Sequence, residues 1–294
     1  MTGLHVPEPR TVGVRARSAA STRRRNPIPT GVIAVVQYVD THCHLDHHED
    51  LSVAAQVERA RAAGVTTMVT VGTDMASSTQ AVATARRFDG VWAAVGVHPN
   101  DAMEATPSVL EVIERLAKED VTVAVGETGL DRYRDHTTPQ QQEASFRAHI
   151  ELAKRHDRAL VIHCRDAWPD CLAILEDQGP PERVVMHCFS GDVEVVERCA
   201  RAGWFMSFAG NVTFHNAAPL REAAAAVPLG LLLTETDSPF LTPHPHRGKP
   251  NDPSYVSFAL RTLAEVQGRE PEDVAEAVLR NAQRAFAFPN VGAA

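Results

Sequence analysis

Residues 121–131, VTVAVGETGLD, run from a β-branched apolar stretch straight into Glu127 and Asp131. A stretch of helical period follows over Pro139–Arg155, and then a second apolar run, ALVIHCRD at 159–166, again ends in polar, chemistry-bearing groups. Runs this apolar do not alternate polar and apolar faces, so they read as strands buried on both sides, as in a parallel sheet covered by helices. The unit repeats outward in both directions. The spacing predicts strands at Val32–Asp40, Val65–Gly72, Val91–Gly96, Val121–Glu127, Ala159–Cys164, Arg183–Phe189, Trp204–Ala209 and Leu231–Asp237. Between them it predicts helices at Leu51–Ala63, Met75–Phe88, Ser108–Glu119, Pro139–Arg155, Ala167–Gln178, Val193–Ala202 and Ala217–Ala226, with Pro253–Val266 and Pro271–Phe286 after the last strand. Eight repeats over about 250 residues are the size and rhythm of a TIM-type (β/α)8 barrel.

An open doubly wound sheet would give the same string, and the polar residues break the tie. The strands run into Asp40-Thr41-His42-Cys43-His44, Gly96-Val97-His98, Gly126-Glu127, His163-Cys164-Arg165, His187-Cys188 and Glu235-Thr236-Asp237. In a barrel all of these C-terminal ends meet on one face, where active sites lie.

His42 and His44 are two apart, so an extended strand turns both to one side and Cys43 to the other. The same alternation sets Cys164 and Cys188 opposite His163 and His187, as packing residues. A lone His on an apolar strand is more often a satisfied core residue than a ligand. Four of them with Glu127 and Asp237 on separate strands reverse that expectation, and exceed what one tetrahedral ion takes. They suit two divalent ions bridged by a carboxylate and a water.

Composition bounds the partners. The 294 residues are 44% hydrophobic and 22% charged, which excludes a wholly disordered chain. Aromatics are only 5%, against a platform of many base-stacking rings. Residues 1–33 hold six arginines against Glu8, leaving 23 basic and 36 acidic residues in the remainder. So acidic a body does not coat duplex DNA through a broad basic surface, although bound metals would reverse the sign locally. We expect residues 1–33 to be a disordered extension, or an upstream translation start, and 34–290 to be the barrel. Five cysteines with no CxxC pair fit a reduced, cytoplasmic setting, and no apolar run is long enough to span a membrane. A monomer is expected.

These motifs resemble the TatD family of metal-dependent nucleases, within the amidohydrolase-like barrels, from about Val39 to Phe286. The matching segments are Val39–Asp46, Gly126–Asp131, Val161–Ala167, His187–Gly191, Glu235–Leu241 and the loop Arg247–Asn251. Ala159 stands where the family usually has proline, and Arg132 where an aromatic residue commonly follows the Gly-Leu-Asp triplet. The resemblance implies that His42, His44 and Asp237 hold one ion and His163 and His187 the other, with Glu127 as the bridge; zinc, manganese or magnesium suits the donors. It implies a phosphodiesterase acting on DNA, as substrate rather than stable partner, from a single-stranded 3′ end. Glu127 and Asp237 are its catalytic residues, and Asp237 could also accept the nucleophile's proton. Arg165 and Lys249 are candidate phosphate partners, and His98 a contact to substrate or leaving group.

Blander readings stand beside these. Glu127 could be a buried acid paired with Arg165, Arg165 could be bridged to Asp131 or Asp166, and His98 could be a turn residue before Pro99. Glu235 could support the ligands or pair with a buried base. A hydrolase of a small amide, lactone or ester shares the same ligand chemistry. A non-catalytic metal-holding barrel ranks below both.

Overall fold

Eight parallel strands follow one another in chain order around the sheet, each neighbour supplied by the next strand in sequence. They are β1 (Tyr38–Cys43), β2 (Val65–Val71), β3 (Val91–Val95), β4 (Thr122–Asp131), β5 (Ala159–Arg165), β6 (Val184–Met186), β7 (Phe205–Phe208) and β8 (Leu232–Thr234). The intervening helices are α1 (Val53–Ala62), α2 (Met75–Ala85), α3 (Pro107–Ala117), α4 (Pro139–Arg155), α5 (Trp168–Gln178), α6 (Val193–Ala202) and α7 (Ala218–Ala226). Two more, α8 (Val256–Val266) and α9 (Pro271–Phe286), follow β8. This is the (β/α)8 barrel that the alternation predicts. The computed structural model describes residues 1–3 and 36–289, so the expectation for residues 1–33 lies, beyond residue 3, outside the described residues, as does the predicted strand start at Val32.

Short-range chemistry fixes the helix starts. Asp74 accepts the N–H of Ser77 while the Ser77 hydroxyl reaches back to Asp74, and Thr138 and Gln141 form the same reciprocal cap on α4. Proline occupies the first turn of α3, α4 and α9, where its missing N–H costs nothing.

Inside the ring, Val39, Val69, Val123, Val161, Val185 and Leu233 pack together, and α9 sets Ala282, Ala285 and Phe286 against them. Between β8 and β1 the seam is closed by hydroxyls. Thr41 Oγ1 donates to the Thr234 carbonyl at 3.0 Å, and Thr234 Oγ1 donates to the Val39 carbonyl at 3.3 Å. Above them the Asp237 N–H reaches the His42 carbonyl at 2.9 Å and the His44 N–H the Ser238 carbonyl at 2.8 Å, which ties two site segments together.

The strand limits differ from the sequence reading in ways that matter for the site. β4 runs on past Glu127 to Asp131, whereas β6 and β8 stop at Met186 and Thr234. His187, Cys188, Glu235 and Asp237 therefore sit in the segments after their strands. No described helix is long and apolar enough to cross a membrane.

Candidate metal centre

Glu127 stands at the middle of the barrel mouth, and the backbone is bent to put it there. The β4–β5 register goes from Val125 opposite Leu160 to Thr128 opposite Ile162, so one extra residue is inserted at Gly126-Glu127. Gly126 has φ 141°, and a Cβ on it would lie 2.5 Å from the Val161 carbonyl oxygen. Only glycine fits there.

The carboxylate of Glu127 divides its two oxygens between two groups of histidines. Oε2 lies 3.4 Å from His42 Nε2 and 3.8 Å from His44 Nε2. Oε1 lies 2.9 Å from His163 Nδ1 and 3.1 Å from His187 Nε2. Asp237 joins the first group, its Oδ1 3.4 Å from His44 Nε2 and 3.9 Å from His42 Nε2. Two donors on one ion at ordinary metal–ligand lengths are separated by roughly 3.0–3.4 Å, so the spacing suits shared cations. All six side chains are largely withdrawn from solvent.

Second partners fix which nitrogen each ring offers. His44 Nδ1 lies 2.9 Å from the Val71 carbonyl, so it carries the proton and Nε2 keeps its lone pair toward the centre. His187 presents Nδ1 to Glu235 Oε1 at 2.9 Å, and His163 presents Nε2 to Asp131 Oδ2 at 3.2 Å. His42 stacks on His187 with ring centroids 3.6 Å apart.

Charge follows the same pattern. Burial would raise the Glu127 carboxyl, but His187, His98 and His163 reverse this and hold it well below the carboxylate range. Asp237 is lowered in the same way, burial being outweighed by His44, His187 and His42. Burial would lower His187, yet Glu235 and Glu127 raise it well above the usual imidazole value. Burial and the neighbouring His187 lower His42. A cavity of about 750 Å³ opens above these residues.

His98 differs in kind. Its Nδ1 accepts the Asn100 N–H at 3.1 Å, so Nε2 carries the hydrogen it points at Glu127 Oε1, 3.5 Å away. Burial depresses its pKa to about 3, so the ring is a neutral donor at neutral pH. It also caps the turn Pro99–Glu104, so the structural and the functional readings both hold for this residue.

Arg165 lines the cavity, and no carboxylate lies within salt-bridge distance of it among the described residues. Its guanidinium lies 3.7 Å from the Tyr133 ring centroid instead, so neither the pairing with Glu127 nor that with Asp131 or Asp166 is formed. Lys249 is not brought to the cavity. It is exposed in the loop after β8, where its carbonyl accepts from Thr242 Oγ1 at 2.6 Å.

Two thiols read alike in the sequence prove different. Cys164 borders the cavity but is buried in the apolar layer with Cys171 and Cys199. Cys188 corrects the alternation argument: it is half-buried, lines the cavity, and its sulfur is grouped with the donor atoms of His187 and Asp237, all within 4.8 Å of one another. Its φ of 44°, beyond the end of β6, removes the alternation on which the packing assignment rested. Arg134 and Phe240 also line the cavity, with no signal in the sequence spacing, while Asp131 and Glu235 are partly legible. For Asp131 the signal was present, because it lies four residues beyond Glu127 on one extended run.

The sequence pattern described as TatD related DNase matches residues 39–287. A relative from Mycobacterium tuberculosis, bearing the name uncharacterized metal-dependent hydrolase TatD, is 43% identical over 256 residues, covering 84% of this chain and 97% of its own. The 3′-5′ ssDNA/RNA exonuclease TatD of Klebsiella pneumoniae is 39% identical over 224 residues, 74% of this chain and 84% of that one. Among solved structures, the TatD homologue YJJV of Escherichia coli K12 superposes with a TM-score of 0.82 at 29% identity, over 86% of this chain and 99% of its own. With the match spanning nearly all of the barrel, the chain belongs to the TatD family of metal-dependent hydrolases.

Proposed function

We propose that the protein is a 3′-5′ exodeoxyribonuclease that hydrolyses phosphodiester bonds of single-stranded DNA at a pair of divalent ions. The observation carrying this reading is the split of the Glu127 carboxylate, one oxygen facing His42 and His44 and the other facing His163 and His187. His42, His44 and Asp237 would hold one ion, His163 and His187 the other, and Glu127 both. Divalent ions held there supply a water nucleophile at neutral pH and positive charge for a phosphoryl oxygen.

The chain's own groups do the rest. Asp237 faces the cavity and is ionised, so it can accept the nucleophile's proton. His98 Nε2–H is a neutral donor placed to meet a phosphoryl or leaving-group oxygen. Arg165, its guanidinium carbon 3.7 Å over the Tyr133 ring and without a carboxylate partner among the described residues, has N–H groups to offer a phosphate. Lys249 would reach substrate only beyond the cavity. The polarity of cleavage and the preference for single strands rest on relatives of 35–39% identity whose names carry them.

The test is a 5′-labelled single-stranded oligonucleotide with Mn²⁺ or Mg²⁺, with Asp237→Asn as the blank. A metal-dependent ladder shortening from the 3′ end, absent in the variant, is the expected result. No cleavage by folded, metal-loaded protein overturns the nuclease reading and favours a small ester, lactone or amide.

A further inference from the structure

One wall of the cavity carries cationic groups that the metal centre does not use. Tyr133 is 60% exposed, an unusual position for a large ring, and two guanidinium carbons lie against it: Arg165 at 3.7 Å and Arg134 at 5.6 Å from its centroid. Both arginines line the cavity. Among the described residues neither has a carboxylate within 4.0 Å, whereas the next arginine along, Arg132, is paired with Asp170. Two neighbouring guanidinium groups left without counter-charge favour an anion between or beside them.

The loop that carries Tyr133 and Arg134 is built rather than incidental, and Arg165 comes to it from the end of β5. Asp131 Oδ1 accepts the backbone N–H groups of both Tyr133 and Arg134 at 2.9 Å, and its other oxygen lies 3.2 Å from His163 Nε2. The same carboxylate thus fixes the arginine loop and touches a ring of the metal centre. Arg134 and His136 also line an adjoining depression with Met103 and Thr138, so the cavity continues outward past this wall.

We propose that Arg134 and Arg165, held on the Tyr133 ring, form a second anion subsite that binds a phosphate of the strand next to the one being cleaved. This rests on the phosphodiesterase reading above. Tyr133 is the positioning residue: its ring orients the guanidinium plane of Arg165 by cation–π contact and leaves the N–H edges open. The subsite makes the enzyme prefer a chain of phosphates over a lone diester, and it lies on the side by which a longer strand leaves the cavity.

The experiment compares Arg134→Ala, Tyr133→Leu and Tyr133→Phe with wild type on a single-stranded oligonucleotide and on bis(p-nitrophenyl) phosphate. The same variants in an Asp237→Asn background are measured for binding of a fluorescein-labelled oligonucleotide by anisotropy across a salt series. Arg134→Ala should raise the oligonucleotide KM about tenfold with kcat nearly kept, and should reduce the salt slope by about 0.7. The KM for the single-phosphate diester should rise far less. Tyr133→Leu should act in the same direction, and Tyr133→Phe should restore wild-type values. Unchanged oligonucleotide binding and salt slope in Arg134→Ala, or equal losses on both substrates, overturns the subsite. Binding that depends on Arg134 in a protein that cleaves neither substrate leaves the subsite standing and sinks the phosphodiesterase reading.

Discussion

Glu235 Oε1 lies 2.9 Å from His187 Nδ1, and the same oxygen accepts the Cys188 N–H at 2.8 Å. One buried carboxylate therefore orients a candidate ligand and pins the segment that carries it, leaving Nε2 of the ring for the centre. Removing such an outer partner costs roughly 10–100-fold in metal affinity in comparable sites. Glu235→Gln, which keeps volume and loses charge, should require about that much more Mn²⁺ for half-maximal activity and recover at high metal. Titration of activity with Mn²⁺ checks this; an unchanged midpoint contradicts it.

Gly126→Ala should be damaging although it adds one methyl group. The new Cβ meets the Val161 carbonyl in a backbone conformation that L-residues avoid. A loss of about 1–3 kcal/mol in urea unfolding is expected, together with a large fall in kcat because Glu127 is displaced. Wild-type stability and activity would mean that the bulge does not set the carboxylate.

His149 gives the fold a pH dependence away from the metal centre. Its Nε2 accepts the Val97 N–H at 3.0 Å and its Nδ1 lies 2.7 Å from the Ser145 carbonyl, an arrangement that needs the neutral ring. Burial lowers its pKa to about 4, against 6.5 when unfolded. The unfolded chain thus binds more protons between these values. The contribution is complete above about pH 6.5 and is lost as the pH falls toward 4, at most about 3 kcal/mol. Urea unfolding from pH 7 to pH 4.5 should show this slope, and His149→Gln should flatten it; an equal slope in the variant excludes His149 as its source.

The seam between β1 and β8 depends on two hydroxyls, so Thr234→Val should cost about 1–2 kcal/mol with little change in volume. It leaves the Val39 carbonyl without its side-chain donor. Thermal unfolding of the variant measures it, and no shift in midpoint would place the closure elsewhere.

Much of this arrangement was legible in the sequence because strand geometry is periodic. His42 and His44 converge as two-residue spacing requires, their Nε2 atoms 3.3 Å apart, and Glu127 stands where the apolar run of β4 stops, although the strand itself continues to Asp131. Periodicity failed where strands were shorter than their apolar runs. β6 and β8 each have three residues, so alternation carries no information for Cys188, which turns into the cavity. Lys249 has the charge and the family-like loop of a phosphate partner, but it lies exposed and does not line the cavity. Arg165 pairs with neither carboxylate neighbouring it in sequence because its guanidinium lies over the Tyr133 ring, a contact that sequence spacing does not reveal. Asp131 instead serves His163 and the loop of Tyr133.

The central claim is a carboxylate-bridged pair of ions, and Mn²⁺ binding followed by electron paramagnetic resonance tests it most directly. The wild-type protein should bind two Mn²⁺ per chain with an exchange-coupled spectrum, and Glu127→Gln should lose the coupling. A wild-type protein that binds a single ion, or two with no coupling, would contradict the account.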